Sequence, residues 1–151
     1  MPSSTLHLIE NCFVTDSSGC HRYDFWNEQA LFDGRPDTGW CPPSRTEPFT
    51  EYLDIDLGSV CTPVRIRIQR RPAPKVSTGF PPILCVVAFP DGQPPRTVLS
   101  EEDIQAPAGG WWEHDLEPVP TRRLRLEAPN RIQRPNGTYV LQFMQLQLLE
   151  Q

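Results

Sequence analysis

The stretch Ala30-Leu31-Phe32-Asp33-Gly34-Arg35-Pro36-Asp37-Thr38-Gly39-Trp40, followed by Glu51-Tyr52-Leu53-Asp54-Ile55-Asp56-Leu57-Gly58, is the densest signal in the chain. Asp33-Gly34 and Pro36-Asp37 are turn-forming pairs and set a tight loop. Such a loop can turn carbonyls inward while Asp33 and Thr38 present side-chain oxygens. Oxygens converging from one loop are what a hard cation such as Ca²⁺ requires. The bland counterpart is that Asp33 caps its own turn and Thr38 hydrogen-bonds the loop backbone. Trp40 follows directly and is large enough to anchor the loop on a core. The second segment alternates polar with apolar residues and stops at glycine, the pattern of a half-buried strand.

Similar patterns flank this stretch. Val64-Arg65-Ile66-Arg67-Ile68-Gln69-Arg70 puts Val64, Ile66 and Ile68 on one face and arginines on the other. Ile83 to Phe89 is a continuous apolar run closed by the turn signal Pro90-Asp91-Gly92. Leu6–Ile9, Trp112–Leu116 and Arg123–Glu127 are further strand candidates, and Ser100–Ile104 reads as one helical turn. Tyr139–Leu149 has a two-residue period that reads as a strand, with a short helix as the alternative. Strand geometry turns one ring of Trp111-Trp112 inward and the other outward. Strands joined by Pro/Gly-rich segments predict an all-β, antiparallel β-sandwich. One-sided alternation places Asp54 and Asp56, Arg65 and Arg67, and Arg123 and Arg125 on solvated outer faces. Docking a partner chain is the other use of such a face.

Composition agrees. Proline accounts for 18 of 151 residues, which disfavours helices, whose interiors proline breaks. The length fits a single domain over residues 1–151. With 14 Lys+Arg against 19 Asp+Glu, the formal charge of −5 disfavours generic nucleic-acid binding. No run is long and apolar enough to span a membrane. The N-terminal residues carry no signal-peptide pattern, so a cytoplasmic or otherwise intracellular location is expected. Cys12, Cys20, Cys41, Cys61 and Cys85 are odd in number and lack CxxC spacing, which favours reduced thiols. A local Cys12–Cys20 disulfide stays compatible with the spacing. His7, His21 and His114 have neither metal-ligand spacing nor a motif-level nucleophile nearby.

The order D-G-x-x-x-T-x-W, Y-L-x-I-D-L-G, V-R-I-R-I resembles the discoidin, or coagulation factor V/VIII type C, domain family. Phe89-Pro90-Asp91-Gly92, Thr121–Leu126 and Met144–Leu148 are similar to later motifs of that family, so the resemblance runs from about residue 27 to 149. It implies a galactose-binding-like jelly roll with a structural Ca²⁺ under the Asp33 loop. Carried over, the ligands are the carbonyls of Ala30 and Arg35, the Asp33 carboxylate, Thr38 and Gln145. Gln145 stands where the family commonly has Glu, which keeps an oxygen but removes a charge.

The resemblance also places ligand recognition on loops at one end of the sandwich. The residues offered there are Tyr23, Trp26, Arg45, Phe49, Arg71, Asn130 and Arg131. Aromatic rings and arginines suit a carbohydrate. They also suit a protein partner, because the same residue types dominate protein hot spots. Cys41 stands where sugar-binding members often have His, which pulls toward the protein partner. The expected function is non-catalytic ligand binding, with carbohydrate first, an intracellular protein-interaction module second and a jelly-roll enzyme third.

Overall fold

Alternating apolar residues in the longer strands supply much of the two inner faces of a sandwich. The computed structural model describes residues 5–21, 26–35, 37–72, 79–130, 133 and 135–151. In chain order the strands are β1 (His7–Leu8), β2 (Phe13–Ser17), β3 (Phe49–Cys61), β4 (Pro63–Gln69), β5 (Leu84–Ala88), β6 (Arg96–Glu101), β7 (Trp111–Asp115), β8 (Thr121–Asn130) and β9 (Leu146–Glu150). A five-residue 3-10 helix, Glu28–Phe32, precedes the Asp33 loop. All pairings are antiparallel, in a four-stranded sheet ordered β1-β9-β4-β7 and a five-stranded sheet ordered β2-β3-β8-β5-β6. This is the expected antiparallel β-sandwich.

Register follows the apolar pattern. Leu53 faces Leu126 and Ile55 faces Leu124 across β3 and β8, and all four side chains are buried. Ile66 faces Leu148 and Ile68 faces Leu146 across β4 and β9, again all buried. The opposite faces carry charge. Arg125 grips Asp54 with two bonds of 2.7 and 2.8 Å and lies 4.5 Å over the Tyr52 ring. Arg65 and Arg67 both bond Glu113, and Arg65 also reaches Asp115. Trp112 packs against the core, while Trp111 takes the Arg67 guanidinium 4.5 Å over its ring. The two tryptophans therefore split between faces as strand geometry requires.

Three features depart from the sequence expectation. Asp56 is buried rather than solvated: its carboxylate accepts the Gly58 N–H at 2.8 Å and Arg122 Nε at 3.0 Å. Gly58, whose φ is 86°, lies where the pairing of β3 with β8 shifts register. The Gly58 N–H, then Arg122, hold the Asp56 carboxyl below its ordinary value. Ser100-Glu101 end strand β6 and form no helical turn. Tyr139–Leu149 is a ladder strand only from Leu146. Residues 140–146 before and into it are buried without a break, because Trp40, Gln69 and Gly79 bond their backbone from several sides. Cys12 and Cys20 are free thiols, in line with the favoured reading, and the Cys12 thiol donates to the Ile9 carbonyl at 3.4 Å.

Candidate functional site

Strand direction gathers the site. Phe49, the first residue of β3, pairs with Asn130, the last of β8. β4 reverses direction after Thr62, so its exit at Gln69 lies at that same end. The connection between β2 and β3 is pinned there at two points. Trp40 exchanges backbone bonds of 2.7 and 2.9 Å with Phe143, and Arg45 does so with Tyr139 at 3.0 and 2.8 Å. The Trp40 indole is fully buried against Phe143, with ring centres 5.9 Å apart, and its N–H donates to the Gly19 carbonyl at 2.9 Å. It anchors the loop as its position after the turn predicts.

Trp26, Cys41, Arg71 and Gln142 form one cluster on this platform. The Arg71 guanidinium lies 5.2 Å from the centre of the half-buried Trp26 ring. Its Nη1 also donates to Gln142 Oε1 at 3.3 Å. Gln142 Nε2 in turn faces the Cys41 sulfur at 3.7 Å, and the Cys41 N–H reaches the Trp26 carbonyl at 3.4 Å. Cys41 and Gln142 are buried, so they set the floor while Trp26 and Arg71 form the rim. A cation beside an indole is favourable and holds both groups in place.

Arg45 and Phe49 form a second pair. The Arg45 guanidinium lies 4.1 Å over the Phe49 ring, which is exposed. Arg45 also bonds both carboxylate oxygens of Glu51, at 2.9 and 3.2 Å, and the Ser18 carbonyl at 2.9 Å. Glu51 has no exposed surface, so the bidentate grip satisfies a buried charge and fixes Arg45 in place. Of the other expected ligand-site residues, Tyr23 and Arg131 lie outside the described residues. Asn130 is described only as the backbone end of β8.

The expected metal ligands converge, but on a nitrogen. Gln145 Nε2 lies 2.7 Å from the Ala30 carbonyl, 2.9 Å from that of Arg35, 3.0 Å from Asp33 Oδ1 and 3.5 Å from the Thr38 carbonyl. The Thr38 hydroxyl donates to Asp33 Oδ2 at 2.5 Å, and the Arg35 N–H to Asp33 Oδ1 at 2.8 Å. In this arrangement an N–H donor of Gln145, rather than an oxygen, points at the carbonyls.

Two recesses lie elsewhere. One of about 250 Å³ is on the outer face of the five-stranded sheet between Thr15, Asp54, Phe89 and Arg125. The other, of about 360 Å³, is at the opposite end beside Val60, Cys61 and Glu150. Gln142 is the site residue the sequence reading missed. Its only signal is that Gln142 and Gln145 are the two polar residues in the buried run 140–146.

A model of the F5/8 type C domain matches residues 14–142. No curated protein matches the chain by sequence. Several solved structures share the fold at low identity. A putative chitobiase fragment from Bacteroides thetaiotaomicron superposes with a TM-score of 0.77 at 17% identity, covering 99% of this chain and 95% of that one. The family 32 carbohydrate-binding module of Clostridium perfringens NanJ, in complex with galactose, gives 0.70 at 16% identity, with 97% and 100% covered. Chitosan-binding module 1 of a Paenibacillus sp. IK-5 chitosanase/glucanase gives 0.68 at 14% identity, with 94% and 98% covered. With a family model matched across most of its length and, among the described residues, nine strands in two antiparallel sheets, this chain belongs to the F5/8 type C, or discoidin, domain family.

Proposed function

We propose that the chain is a non-catalytic carbohydrate-binding module that holds a saccharide at the loop end, on Trp26 and Arg71. The observation that carries the reading is that pair: a half-buried indole with a guanidinium 5.2 Å from its centre. A sugar ring offers C–H groups to an aromatic plate and hydroxyls to fixed donors. Arg71 supplies the donors, and its bond to Gln142 sets their direction before the ligand arrives. Less side-chain freedom is then lost on binding. The solved modules that share this fold, one bound to galactose and one named for chitosan, support the same use of the sandwich.

The test is a glycan array followed by titration of the best binder. Arg71→Ala and Trp26→Ala should each weaken binding by about tenfold or more, which corresponds to ~1.4 kcal/mol or more. Their melting temperatures should stay close to wild type, since neither side chain belongs to the buried core. Equal affinity in both variants would move the site elsewhere, and an array with no binder would sink the reading.

A protein partner is the second reading. It is favoured by Phe49, which is 44% exposed beneath Arg45 and gives the same end an aromatic–arginine patch. Buried Cys41, in turn, offers no polar tip to a sugar. An empty array would shift the weight to this reading.

A further inference from the structure

We propose that Gln145 takes the place of a cation: its carboxamide nitrogen fills the oxygen cage of the Asp33 loop, and the chain holds that loop without a metal. Nε2 has the Met144 carbonyl at 2.8 Å in addition to the oxygens of Ala30, Asp33, Arg35 and Thr38. Five oxygens thus converge on the positive end of one amide, the environment that a small cation otherwise creates. The amide carries only two hydrogens. It therefore donates to two of these oxygens at a time, and the remaining oxygens feel the amide dipole.

The orientation of the amide is set by its other end. Gln145 Oε1 accepts the Gly34 N–H at 3.0 Å. Rotating the amide by half a turn would aim Oε1 at the carbonyls and the carboxylate, and would aim the NH₂ at the Gly34 N–H. Like groups would then face each other on both sides, and only an ion between the oxygens could relieve it. With no ion between them, the hydrogen-bond pattern therefore selects the nitrogen-inward state.

Charge points the same way. Asp33 supplies the one carboxylate of the cage, and its two oxygens already accept the Arg35 N–H and the Thr38 hydroxyl. Gln145 itself is buried, 5% exposed, so its amide has no water to turn to instead.

The experiment compares thermal unfolding in EDTA with unfolding in millimolar calcium chloride, and adds a calorimetric titration with calcium chloride alone. Wild type should give superimposable melting curves and no saturable heat. Gln145→Glu should behave oppositely. It places a carboxylate among carbonyl oxygens, so it should melt several degrees lower in EDTA. Calcium should restore it with one-to-one binding. Gln145→Met, which keeps the volume and removes the donor, should melt lower than wild type in both buffers by the same amount. Calcium-dependent stabilisation of the wild-type chain overturns the proposal. A Gln145→Glu chain without a calcium response, whether folded or unfolded, overturns it as well.

Discussion

A methyl group at Gly39 would sit 2.2 Å from the Phe143 carbonyl oxygen and 2.7 Å from the Met144 Cα. Both contacts are backbone, so no side-chain rotation relieves them. The residue between Thr38 and Trp40 must be glycine because two chain segments touch there. That touch lets Trp40 bond Phe143 and brings Gln145 up to the loop carbonyls. Gly39→Ala should therefore push the loop off the 140–145 segment and cost about 3 kcal/mol or more, the range of a disrupted core. Denaturant unfolding measures it, and a loss below ~1 kcal/mol would show that the contact yields. The sequence displayed the glycine and the tryptophan but not the partner segment at Phe143–Met144, which lies a hundred residues away. Gln145 shows the same limit. Its place beside the loop was legible through the family pattern, whereas which end of its amide turns inward depends on the Gly34 N–H, a tertiary contact.

At the scale of elements, strands with a clean inside and outside were readable and the others were not. β3, β4 and β8 alternate because one face is core and the other carries ion pairs. β2 is an edge strand with no buried residue, so it offers no periodic signal. β6 buries Val98 and Leu99 in succession because a register shift opposite Val86 and Val87 places both on the inner side. That bulge destroys the two-residue period on which a strand assignment rests.

The outer face of the four-stranded sheet makes a prediction. Glu113 accepts from Arg65 at 2.9 Å and from Arg67 at 2.5 Å. Those bonds, Arg65 first, hold its carboxyl below the ordinary value. A depressed carboxyl stabilises the fold at pH above its unfolded value, and that contribution disappears as pH falls through the folded one. The pairs are about one-third exposed, so solvent screens them, and Glu113→Gln should cost only about 0.5–1 kcal/mol at neutral pH. The difference from wild type should shrink on acidification below the carboxylate range and in high salt. An unchanged difference at low pH would show that Glu113 acts through packing instead.

Across the whole molecule, the proposed site and the apolar core occupy separate places. The loop end carries the half-exposed Trp26 and Arg71, while the two sheets bury one continuous apolar core that extends to Cys12. Proline fits this division. Pro42, Pro43, Pro72, Pro81, Pro82 and Pro90 fall in connections, where a fixed φ lowers the freedom of the unfolded chain without interrupting a ladder. Cys12 then reports on the body of the sandwich. Burial pushes its thiol up to about 12, from an ordinary 9.0. At pH 8 the folded chain therefore holds almost no Cys12 thiolate, the form that reacts. A disulfide reagent should modify Cys12 only as fast as the sandwich opens, with a protection free energy matching the one from denaturant unfolding. The sign with pH follows: folding favours the neutral thiol, so its contribution is intact below pH 9.0 and is lost as pH rises toward 12. Stability should accordingly decline over that alkaline window in wild type and less in Cys12→Ala, measured against each protein's own neutral value. Modification of Cys12 at the rate of an unfolded peptide would show that its end of the core opens independently of the sheets. In that case the single cooperative core inferred from the contiguous burial of both inner faces would be wrong.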